Sequence, residues 1–143
     1  MRIMALDVGR VRIGIAISDS LGLIATPYEN YDRRNISSDI AHIKNIIEQN
    51  RVTKVLIGLP VSMDGSLNEQ CSSVMGFAEE LEKAVNLPVE YVDERFSSVS
   101  AERVLLFADV SRKDRKKVRD KLAASIFLQS YLDKLKNKNQ GEY

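Results

Sequence analysis

Three short stretches of the chain place carboxylates where carboxylates are costly. Asp7 lies inside the apolar segment MALDVG. Burying it costs several kcal/mol unless it is paired, protonated or bound to a cation. Gly9, two residues on, leaves room for a ligand to approach the backbone. The other reading of Asp7 is a capping or salt-bridged aspartate at a strand end. Asp120 shares a helical stripe with Ala123, Ala124, Phe127 and Tyr131, at i+3, i+4, i+7 and i+11. An acid heading that stripe points toward whatever the helix covers; alternatively it forms an i,i+4 ion pair with Lys116 or Lys117. Asp93-Glu94-Arg95 closes the last strand, where parallel strands of α/β folds gather binding groups. Alternation sends Asp93 and Glu94 to opposite sides, so one acid can face a site while Arg95 pairs with the other or with a phosphate.

With one His and one Cys in the chain, carboxylates gathered at one strand-end region would offer only oxygen ligands. That chemistry suits a hard cation, Mg2+ or Mn2+, and a pair of such ions can drive in-line phosphoryl displacement. The single His42 excludes multi-His metal sites, and the single Cys71 excludes an internal disulfide. Cys71 reads as a small core residue and His42 as a surface or boundary residue. The segment GRVRIG imitates the glycine spacing of a phosphate loop, but Ile15-Ala16 stand where Lys-Ser/Thr would be needed. The chain has no Trp, four Phe and five Tyr, which leaves no evident stacking platform for single strands.

Charge is unevenly placed. The net charge is +1, yet residues 112–121 (RKDRKKVRDK) carry +5, leaving −4 on the other 133 residues. A basic block on an acidic body suits a localised polyanion contact as well as a solvated helix start.

The elements that must position these residues follow from apolar periodicity. Residues 2–8 and 12–19 form two antiparallel strands around a turn at Gly9-Arg10-Val11. A third strand lies within residues 23–31, and Pro27 marks it as an edge strand or a bulged one. Ile36, Ile40, Ile43 and Ile47 outline one helix face. Residues 52–59 form a fourth strand. Ser66-x-x-Glu69 then has the form of a capping box, opening a helix whose inner face is Val74, Ala78, Leu81 and Val85. Residues 89–92 form a fifth strand, Ser97 or Ser98 caps a third helix through Phe107, and a last helix spans about 114–136. This order predicts an α/β fold: a mixed five-stranded sheet, its first three strands antiparallel, with helices on both faces. At 143 residues the chain suits a single domain over 1–137 and a disordered tail over 138–143. It shows neither a membrane-length apolar run nor a signal segment, so a cytoplasmic location is expected.

Four segments, ALDVGRVRIGIAISD, IGLPVSMDGSLNEQ, VEYVDERFSS and RKKVRDKLAASIFLQSYL, resemble the YqgF/RuvX family of RuvC-like nucleases, in order and over nearly the whole chain. The resemblance implies an RNase H-like fold. It also implies metal-dependent phosphodiester hydrolysis, in processing the 5′ end of the 16S ribosomal RNA precursor or in resolving Holliday junctions. Carried over, the family's acids are Asp7, Glu94 and Asp120, as catalytic residues and metal ligands. Gly9, Arg12 and Gly14 match its first glycine-rich turn, Gly58, Pro60, Asp64 and Gly65 its central loop, and Arg95 the arginine after Glu94. Arg10-Val11 replace a common Thr-Lys, and Ser97-Ser98 a common Thr-Thr. Arg10, Arg12, Arg95, Lys116, Lys117 and Arg119 are then the expected nucleic-acid contacts, on structured RNA or branched DNA. A monomer or weak homodimer is expected. Glu94 must span two strand spacings, roughly 10 Å, to meet Asp7; Asp64 is the alternative third ligand. The competing class is a non-catalytic factor that binds RNA or a ribosome precursor. An actin-like ATPase reading ranks last, since such enzymes need two domains of this kind.

Overall fold

In the computed structural model, residues 1–94 and 112–140 are described, with side chains along the last helix from Lys121 to Lys138. Five strands, β1 (Arg2–Val8), β2 (Arg12–Ser18), β3 (Ala25–Asp32), β4 (Val52–Leu59) and β5 (Val89–Asp93), form one sheet in the order β3-β2-β1-β4-β5. β1 pairs antiparallel with β2 and β2 with β3, while β4 runs parallel to both β1 and β5. This is the expected mixed sheet. Pro27 earns both of its predicted roles: β3 is an edge strand, and its register against β2 skips Tyr28 between Ile15–Glu29 and Ala16–Pro27.

Alternation along β1 and β4 builds two cores. Met4, Leu6, Val55 and Ile57 face α1 (Ile36–Asn50) and α2 (Glu69–Val85). Ile3, Ala5 and Leu56 face the long helix α3 (Arg112–Gln140), where they meet Ala124, Phe127, Leu128 and Leu132. Ala5, Ala16 and Ala124 are all fully buried in that second core, so small side chains let α3 lie close to the sheet. At the amino end of the parallel strands α3 is latched by polar bonds. Lys54 Nζ donates to Tyr131 Oη (2.5 Å) and pairs with Glu90 (2.8 Å), and Tyr131 donates to Glu90 Oε2 (2.8 Å). These bonds strengthen the Lys54 proton's hold and depress the Glu90 carboxyl.

Three local expectations change. The cap of α2 is Asn68, whose side chain accepts from Cys71 N (3.0 Å). Ser66 instead donates both its N–H and its hydroxyl to Asp64 Oδ1 in the preceding turn. The inner face of α1 is Asp39, Ile43, Ile46 and Ile47, and Ile36 is exposed. The isoleucines share one broad side of the helix, with Ile40 partly buried against the core, and the buried centre is turned toward Ile46 and away from Ile36. α3 continues to Gln140, because an established helix propagates easily and Lys138 suits its C-terminal end. The expected helix between Ser97 and Phe107 lies outside the described residues. Among the described residues no helix is long and apolar enough to cross a membrane.

Candidate active site

The parallel strands β1, β4 and β5 end along one edge, and alternation decides what faces α3 there. Asp7 follows Ile3 and Ala5 on the α3 face and is partly buried. Its antiparallel neighbour is Gly14. On the other side, the β1–β4 ladder ends at Leu6–Ile57, so Gly58 comes one residue later beside Asp7. A carboxylate flanked by two glycines has open floor on both sides.

Glu94 closes that floor. Its N–H bonds Leu59 O (3.3 Å), carrying the β4–β5 ladder one residue past Asp93. Glu90 bonds Tyr131 of α3 and Val92 packs in the α3 core, which puts Glu94 on the same face. A Cβ built on Gly58 would stand 2.5 Å from Glu94 Oε2 and 2.9 Å from the Phe127 ring. The carboxylate therefore occupies space over β4 that any side chain at position 58 would fill. Glu94 thus leans back across the intervening strand toward β1. Asp93 is exposed and, by alternation, on the opposite face.

α3 runs over this edge from the other direction. Phe127 touches Gly58 near the ends of the strands, whereas Tyr131 meets the beginnings of β4 and β5. Position 120, seven residues before Phe127 and four before buried Ala124, falls on the same helical stripe. Its side chain, like those of Lys116, Lys117 and Arg119, lies outside the described residues. So does Arg95. Arg10 is exposed in the β1–β2 turn, and Arg12 opens β2. In that turn Gly9 N donates to Arg12 O (2.8 Å), and a Cβ on Gly9 would sit 2.8 Å from the same oxygen. Only glycine fits.

Asp64 is exposed, in a turn where Gly65 has φ 88°. Among the described residues no three His, Cys, Asp or Glu gather closely enough to hold a metal. Asp7, Glu94 and Asp64 therefore do not form such a group.

One buried acid escaped the sequence reading. Asp39 of α1 is 1% exposed and accepts from Arg33 Nε (2.9 Å), Tyr31 Oη (2.9 Å) and Arg34 N (3.0 Å). Burial pushes its carboxyl upward. The Arg34 amide, the Arg33 guanidinium and the Tyr31 hydroxyl outweigh that and hold it below the ordinary value. Its spacing to Ile43 and Ile46, i+4 and i+7, was the available signal.

The profile of the family described as "RuvX: Holliday junction resolvase" matches residues 1–134. The chain belongs to the RuvX family. A relative from Natranaerobius thermophilus, named "Putative pre-16S rRNA nuclease", is 48% identical over 97% of this chain and 99% of its own. One of the same name from Halothermothrix orenii is 49% identical over 93% and 95%. Among solved structures, Thermus thermophilus RuvC in complex with a Holliday junction superposes with a TM-score of 0.58 at 14% identity, covering 92% of this chain and 94% of that one. The fowlpox virus Holliday junction resolvase gives 0.54 at 17% identity, over 94% and 99%. These likenesses show that RuvX members such as this one share the RuvC-type, RNase H-like fold.

Proposed function

We propose that this RuvX protein is a metal-dependent nuclease, with Asp7, Glu94 and Asp120 as its acidic centre and a ribosomal RNA precursor, trimmed at its 5′ end, as its substrate. The observation that carries the reading is Glu94 seated over Gly58, on the same face and edge as Asp7. The names of the relatives support the substrate. Asp64, the alternative to Glu94, lies exposed in a turn, whereas Glu94 sits over β4 on the face of Asp7.

The donor set fits a hard cation: oxygen ligands only, and a glycine at position 58 that admits the Glu94 carboxylate over β4. When bound, Mg2+ or Mn2+ would polarise the phosphoryl oxygen and make a bound water more acidic. The protein's own part is placement. Asp7 is fixed by the β1–β2 ladder and Glu94 by the β4–β5 ladder. The Phe127 ring forms a dry wall beside Gly58. Arg10 and Arg12, with Arg95, Lys116, Lys117 and Arg119, would neutralise backbone phosphates on either side of the scissile bond.

The test is cleavage of a 5′-extended ribosomal RNA precursor with Mg2+ or Mn2+, comparing wild type with Asp7→Asn. Cutting that the substitution abolishes supports the reading. Equal and tight binding by both proteins without cutting would favour a non-catalytic binding factor. A four-way DNA junction belongs in the same assay, because the family description names a Holliday junction resolvase. Preferential cutting of the junction would move the substrate to branched DNA.

A further inference from the structure

Arg33 reaches from the end of β3 into two structures at once. Its Nε donates to buried Asp39 (2.9 Å), and its Nη1 donates to the carbonyl of Gly9 (2.9 Å), two residues past Asp7. Its backbone N–H bonds Val11 O (2.8 Å) in the same turn. The guanidinium also lies over the Phe77 ring of α2, 5.2 Å from the centroid. One side chain thus joins the β1–β2 turn, α1 and α2.

The strand end it holds needs holding. Past Leu6–Ile57 the β1–β4 ladder stops, so Asp7, Val8 and Gly9 are bonded in the sheet on the β2 side. Beyond that point β1 is the outer strand of the antiparallel β1-β2-β3 sheet, its other edge no longer bonded to β4. Asp39, accepting from Tyr31 and Arg34 as well as from Arg33, is fixed in place and so fixes the plane of the guanidinium. In that plane Nη1 meets the Gly9 carbonyl.

We propose that Arg33 is a positioning residue that, through the Gly9 carbonyl, sets the β1–β2 turn and hence the placement of Asp7. The consequence for catalysis rests on the nuclease reading above; the hold on the turn does not. Lysine cannot replace it, because a single ammonium lacks the planar fork that serves two acceptors at fixed angles.

The experiment compares wild type, Arg33→Lys, Arg33→Gln and Asp7→Asn by residue-resolved amide hydrogen exchange and by steady-state cleavage of whichever nucleic acid the wild type cuts. In Arg33→Lys, exchange at the Gly9 amide speeds up at least tenfold while core amides of β4 hold their wild-type rates. Its kcat falls roughly ten- to a hundredfold, the size expected of a small misplacement, with KM little changed because the charge is kept. Arg33→Gln, which can serve one acceptor at a time, shows the same local exchange. Wild-type exchange at Gly9 in both variants would overturn the proposal. So would acceleration spread evenly over all amides, the mark of a merely structural role, or wild-type kcat alongside a dead Asp7→Asn. Full activity in Asp7→Asn, or no cutting by wild type, would instead sink the nuclease reading, and exchange at Gly9 would still decide the hold on the turn.

Discussion

Glu94 Oε2 lies 2.5 Å from the point that a Cβ on Gly58 would occupy. The absence of a side chain at position 58 is thus a condition for Glu94's place over β4, and through it for two acids of separate strands sharing one edge.

Gly58→Ala tests that relation. The new methyl meets a movable carboxylate at 2.5 Å and a packed Phe127 ring at 2.9 Å, so the carboxylate yields first. The expected cost is about 2 kcal/mol of stability from overpacking, together with a weaker affinity for Mn2+ read by calorimetry. Unchanged Mn2+ affinity in a folded Gly58→Ala protein would remove Glu94 from the centre.

Capping gives a second check. Asn68→Ala removes the acceptor for Cys71 N and should cost about 1 kcal/mol in urea unfolding. Ser66→Ala, in an exposed turn, should stay within about 0.5 kcal/mol. The reverse ranking would restore the capping box suggested by Ser66 and Glu69.

The Asp39 carboxyl has a definite pH signature. Its folded pKa lies below the ordinary 3.8, so the stability it contributes is present above about pH 4 and is lost as pH falls through the folded value. Asp39→Asn should therefore cost about 3 kcal/mol at pH 7, as expected when one partner of a buried pair is removed. In urea melts the gap to wild type should narrow below pH 3.8. A gap independent of pH would mean that packing, not charge, is what Asp39 supplies.

Close approach of α3 predicts intolerance at Ala124, which is fully buried among Ile3, Ala5, Ala16 and Leu56. Ala124→Leu should lose about 1–3 kcal/mol and lower nuclease turnover, since the helix would be levered off the face that carries Asp7. Retained thermal stability would show that the helix sits further out than its small residues require.

Much of this was legible in the chain. The strands around Asp7, Gly58 and Glu94 stood out because branched apolar residues alternate or run unbroken there, and the crossovers then left few sheet orders open. Asp7 and Asp120 were conspicuous as acids in apolar stripes. Asp39 was not, since an acid in the first turn of a helix ordinarily needs no further reason, and its partners Tyr31, Arg33 and Arg34 come from a different element. The part played by Gly58 was hidden for a related cause. A glycine whose purpose is to leave space for a side chain 36 positions away carries no local mark.

The strand order has a bearing on synthesis. β1, made first, ends up central, and its β4 neighbour follows some fifty residues later, so the nascent hairpin carries an open strand edge in the meantime. The α3 face waits longer still: the Ala25 N–H finds its acceptor in Gln129, 104 residues downstream. Domains fold as units once their parts have emerged. A chain still on the ribosome therefore presents the sheet face that carries Asp7 before the helix that packs on that face has emerged.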